Sequence, residues 1–146
     1  MMMIDFFIRL TVAAILGGLL GVERTIAGKV AGLRTYALVS LGSALFISVS
    51  ELVVAQSGGP AVVDPLRVAS QVVLGIGFLG AGLIVFRESR VSGLTTAAGL
   101  WVAAGIGMMA GFGFYLLAIF AALLTLLVFT VLWLIEKKIK PKPPAN

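Results

Sequence analysis

Residues 91–135 contain no charged side chain. No water-soluble domain leaves so long a stretch without charge, whereas a bilayer core requires it. About 20 apolar residues are needed per helical crossing, so the run holds two crossings. It divides naturally at the Gly-Phe-Gly of residues 111–113, which implies a very tight turn. The two segments on either side of the charged link RESRVS carry Gly75, Gly77, Gly80, Gly82, Gly99, Gly107 and Gly111. Glycine costs a helix in water roughly 1 kcal/mol against alanine. In lipid, small residues instead let helix backbones approach closely. Residues 67–111 are therefore read as a tightly packed helical hairpin around which the remaining segments are arranged.

The rest of the chain has the same character, with 60% hydrophobic and 12% charged residues among 146. Soluble domains carry roughly twice that charge. The reading is all-α: a polytopic membrane helical bundle with five transmembrane helices over residues 1–135. The expected spans cover about residues 4–22, 35–56, 68–86, 94–111 and 114–135, followed by a basic tail over 136–146. The first apolar stretch also has the length of a cleaved signal peptide, but no small-residue cleavage site follows it. The fifth span, rich in leucine and free of glycine beyond residue 113, is read as a peripheral helix facing lipid. No repeat of 20 to 50 residues is evident, which gives no support to an inverted-repeat transporter.

Placing the N-terminus outside puts Arg24, Lys29, Arg34, Arg87, Arg90, Lys137, Lys138, Lys140 and Lys142 on the inner side. Only Arg9 and Arg67 then lie outside. The excess of inner basic residues sets the expected orientation, N-terminus out and C-terminus cytoplasmic. It also explains a pI near 10.1 without a nucleic-acid partner. The chain has no cysteine or histidine, which excludes disulfides, thiolate or imidazole metal sites and a histidine base. No cofactor and no enzymatic activity are expected.

Three sets of residues are candidates for function. The outer side gathers Asp5, Arg9, Glu51, Asp64 and Arg67, with Gln71 one turn into the third span. Charges within a span usually face a partner in the protein interior. Asp5 and Arg9, four apart, share a helix face, and Glu51 is expected to pair with Arg67 or Arg9. The alternative is a cation site of Asp5, Glu51 and Asp64, since magnesium takes carboxylate oxygens; the two arginines oppose it. The inner side gathers Glu23, Arg24, Arg34, Thr35, Arg87, Glu88, Arg90, Thr95 and Thr96. The threonines are either helix caps or, beside the arginines, part of an anion site. Small residues four apart, at Ala13, Gly17 and Gly21 and at Thr95, Gly99, Ala103, Gly107 and Gly111, form stripes that seat one helix on another. The glycines near 75–82 either do the same or let the helix break and expose carbonyls to a ligand.

Several segments together resemble one bacterial inner-membrane family, MgtC/SapB. They are GVER at 21–24, AGLRT at 31–35, LGSALF at 41–46, DPLRVASQVVLGIGFLGAG at 64–82, GLTTAAGLW at 93–101 and GFGFYLLA at 111–118. Ser92 departs from the basic residue common before GLTTAA in the family. The resemblance implies about five spans in the inner membrane, and longer members carry a soluble ACT-like domain that this chain is expected to lack, as a short SapB-like member does. It also implies a link to magnesium homeostasis or to the proton-driven ATP synthase. The expected role is a non-enzymatic regulator bound to another membrane complex, with a magnesium or small-ion transporter as the alternative. Unsatisfied small-residue faces further predict self-association, with a dimer as the expected form.

Overall fold

A computed structural model of the chain describes residues 3–57, 64–87 and 90–139. The element order is α1 (Met3–Ile26), α2 (Leu33–Gln56), α3 (Pro65–Leu83), strands β1 (Val85–Arg87) and β2 (Arg90–Ser92), α4 (Leu94–Gly111) and α5 (Tyr115–Leu127). A five-residue π segment, Val128–Leu132, then joins α5 to α6 (Trp133–Ile139). Five helical spans among the described residues are long and apolar enough to cross a membrane, the last being the continuous rod Tyr115–Ile139. Successive spans run antiparallel. One end of the bundle therefore holds Arg9, Glu51, Gly111 and Tyr115, and the opposite end holds Arg24, Thr96 and Lys137.

Each connection has a local cause. At the end of α1, Gly28 adopts φ +65°. Its N–H donates to the Thr25 carbonyl at 3.1 Å, and the Lys29 N–H donates to the Arg24 carbonyl at 2.9 Å. This pair of bonds is a Schellman closure, and it folds Lys29 back over the end of the helix. Thr25 bridges onward: its hydroxyl donates to the Gly21 carbonyl and accepts the Leu33 N–H, satisfying a free donor at the start of α2. Asp64 caps α3 by accepting the Leu66 N–H at 2.9 Å, with Pro65 at the first helical position.

The third span ends at Leu83, three residues before its expected limit. Val85–Arg87 and Arg90–Ser92 pair as two antiparallel strands, Phe86 opposite Val91, where the sequence reading placed the end of the third span and a short charged link. The β-branched Val85 and Val91 and the aromatic Phe86 suit that pleat. Gly93 closes the hairpin at φ +89°, where an added Cβ would lie 2.0 Å from the Leu83 carbonyl oxygen. No other residue fits there.

The core lies on α2, which packs most extensively on α1 and next on α4. An added Cβ at Gly17 would meet the Ser40 Cβ at 2.5 Å, and one at Gly107 the Ser40 carbonyl at 2.1 Å. Gly21 lies against Leu33, Gly99 against the Tyr36 hydroxyl, and Gly111 against the Ala44 carbonyl. The glycine stripes of the first and fourth spans thus seat both helices on α2. The tightest packing is this three-helix unit, which corrects the expectation of a dominant hairpin between the third and fourth spans. In α3, only Ile76 and Gly80 are buried. Gly80 rests on Ala97, while Gly75, Gly77 and Gly82 have nothing within 4 Å of a would-be Cβ. The rod Tyr115–Ile139 is peripheral, burying only Ala118, Ala122 and Phe129.

Candidate functional site

At one end of the bundle, Arg9 stands between two carboxylates. Its guanidinium pairs with Asp5 at 3.0 Å and with Glu51 from α2, and its side chain is only 12% exposed. The same group donates to the Gly111 carbonyl, which also accepts the Ser48 hydroxyl at 3.2 Å. The Tyr115 hydroxyl donates to Asp5 at 3.1 Å, so the cluster ties α1, α2, α4 and α5 together. Arg67 takes no part: Glu51 pairs with Arg9. Asp64 is spent on capping α3, and among the described residues no three acidic side chains converge as a metal site would require. The expected trio of Asp5, Glu51 and Asp64 does not form: Asp64 caps α3, and the Arg9 guanidinium pairs with both of the others.

At the opposite end Arg24 is 3% exposed. Its Nε pairs with Glu23, and its guanidinium carbon lies 3.8 Å above the centre of the Phe129 ring. Phe129 comes from the π segment and meets Tyr36 edge-on, while the Tyr36 hydroxyl donates to the Thr96 carbonyl at 3.2 Å. Thr95 and Thr96 do not cap α4, whose N-cap is Gly93. The physical reason is position: both lie inside the first turn, Thr96 buried and Thr95 exposed. Arg24, Lys29 and Thr95 line a cavity of about 560 Å³ with Phe129, Trp133 and Lys137. Arg34 lies away from this cluster, and Arg90 is exposed on β2. The Arg87 side chain, Glu88 and the tail from Lys140 on lie outside the described residues.

A third feature runs along the side of the bundle. A groove of about 770 Å³ between α2 and α3 is walled by Arg34, Thr35, Gly42, Ser43, Gln71 and Gly75, with apolar neighbours that include Phe46 and Phe78. It gathers Arg34 and Thr35 with Gln71 and Gly75, which sequence reasoning had assigned to different sides. The residues that sequence reasoning missed are Tyr36, Phe129 and Tyr115, whose roles depend on partners 60 or more positions away. The only local sign was an aromatic residue amid aliphatic ones.

The sequence model of the MgtC family matches residues 10–138 of this chain. The chain belongs to the MgtC family. The "Putative magnesium transporter YhiD" of Escherichia coli K12 is 50% identical over 129 residues, covering 87% of this chain and 60% of that protein. "Protein MgtC" of Brucella abortus is 50% identical over 86 residues, covering 59% of this chain and 34% of the relative. "Protein MgtC" of Salmonella typhimurium is 45% identical over 98 residues, covering 67% and 39%. The chain thus spans about 60% of the length of the YhiD relative and a smaller share of the MgtC proteins. No solved structure matches it. With five membrane-length helices, this MgtC-family chain is a multi-pass protein of the inner membrane.

Proposed function

We propose that the chain is a non-enzymatic regulator that docks a transmembrane helix of another membrane complex into the groove between α2 and α3. The observation that carries this reading is the state of α3. Its Gly75 opens onto the groove, as Gly42 of α2 does, with nothing within 4 Å of a would-be Cβ, while the small-residue stripes of the first and fourth spans are filled by neighbouring residues. Within lipid a face of this kind gives a foreign helix the close backbone approach on which association depends. Gln71 on the wall supplies hydrogen-bonding groups, and Arg34 stands at one end for a partner's acidic residue. The family's link to magnesium homeostasis and the proton-driven ATP synthase suggests the class of complex. The excess of basic residues at the Arg24 end supports an orientation with that end cytoplasmic.

Filling the groove tests this. Gly75→Leu and Gly42→Leu add side chains where nothing lies within 4 Å, so the fold tolerates both. Each variant is expected to insert normally yet fail to complement growth at low magnesium. Full complementation by the double variant would overturn the reading. Because the chain has no cysteine, Gly75→Cys provides a unique cross-linking point. Adduct mass then separates a foreign partner from a second copy of the chain.

A second reading, a magnesium or small-ion transporter, is favoured by the name of the YhiD relative. Against it stands Arg9, whose positive charge sits between the two carboxylates that a cation would need.

A further inference from the structure

We propose that the cavity at the Arg24 end binds a phosphate-bearing anion, whichever partner the groove between α2 and α3 takes. Three cations of different origin line this one space. Arg24 comes from the last turn of α1, Lys29 is folded back beside it by the Schellman closure at Gly28, and Lys137 comes from α6. A buried guanidinium is costly unless it is compensated. Glu23 engages Nε, and the Phe129 face provides a cation–π contact. Neither uses the paired N–H groups at the tip of the fork, the geometry that recognises phosphate oxygens two at a time.

The charges lead to the same ligand class. Glu136 also lines the cavity. Against Arg24, Lys29 and Lys137, it and Glu23 leave one positive charge in excess. A phosphodiester neutralises that excess. Inorganic phosphate does so as its monoanion, and the Thr95 hydroxyl adds a donor on the cavity wall. A volume of about 560 Å³ accommodates a headgroup with ease. Trp133, with the Lys137 ammonium 5.3 Å from its ring centre, gives the mouth the aromatic and basic pairing typical of a membrane interface.

The π segment gives this site its shape. Such wide turns often mark functional positions. Here the turn presents Phe129 to Arg24 on one side and directs α6, with Trp133 and Lys137, along the cavity. Phe129 is also part of the core, but α6 buries no residue, so packing within the bundle does not account for the course that brings Trp133 and Lys137 to the cavity.

Two binding measurements distinguish the sources of the phosphate. In one, the full chain in phosphatidylcholine nanodiscs is equilibrated by dialysis against radiolabelled inorganic phosphate. In the other, native mass spectrometry follows phosphatidylglycerol retained from mixed micelles with phosphatidylcholine. Saturable binding of one ligand per chain is expected in at least one arm, and the arm that gives it identifies a soluble phosphate or a lipid headgroup. The double variant Lys29→Gln, Lys137→Gln changes exposed side chains only and should keep the fold. It is expected to weaken binding by about tenfold or more, while Arg67→Gln at the far end leaves binding unchanged. No saturable binding in either arm, or equal binding by the double variant, would overturn the proposal.

Discussion

Single glycines in this chain play opposite roles that the sequence alone does not separate. Gly107 lies where an added methyl group would be 2.1 Å from the Ser40 carbonyl, a backbone atom held in α2 and unable to yield. Gly77 faces nothing within 4 Å. Gly107→Ala is therefore expected to destabilise the bundle by about 1–3 kcal/mol, the usual cost of overpacking. Gly77→Ala, which removes a glycine from a helix interior without a clash, should be neutral or stabilising by up to about 1 kcal/mol. Reversible unfolding in mixed micelles measures both, and equal effects would contradict the assigned packing. The four-residue spacing of Gly99, Ala103, Gly107 and Gly111 was enough to predict a shared stripe. Gly75, Gly77 and Gly82 look equally suited to packing in the sequence. Whether such residues meet a neighbour depends on the rotation of α3, which pattern alone does not encode. The outer charges were legible for a different reason: Asp5 and Arg9 lie one helical turn apart, and an intramembrane Glu51 needs a counterion. The choice of Arg9 over Arg67 required knowing that α1 and α3 meet α2 on different faces.

Among the elements, the helices were readable from length and apolarity, and their ends less so. The hairpin of β1 and β2 was missed because three-residue strands give too short a pattern to separate from a loop. The π segment was also beyond reach, since residues 128–132 read as ordinary helix. Its wider turn sets the rotation of everything that follows. Inserting one alanine between Leu132 and Trp133, where the regular helix of α6 begins, should turn α6 by about 100°, carrying Trp133 and Lys137 away from Arg24. The expected result is loss of phosphate binding with little change in unfolding midpoint, because α6 is exposed throughout. Retained binding would show that the rotation of α6 does not shape the cavity.

At the scale of the molecule, four helical spans form a bundle on α2 and the fifth element of the set, α3, leans on it from one side with an open groove. The three-helix unit of α1, α2 and α4 is locked by backbones in close contact, and Arg9 bridges Asp5 and Glu51 at one end. The proposed regulator holds its partner at α3 and opens no path through this locked centre. The direct test is magnesium flux into proteoliposomes holding the purified chain, followed with an entrapped dye against empty liposomes. A regulator gives no flux above the control from folded, inserted protein. Saturable flux that disappears in Glu51→Gln would contradict this account and place a transport site between Asp5 and Glu51.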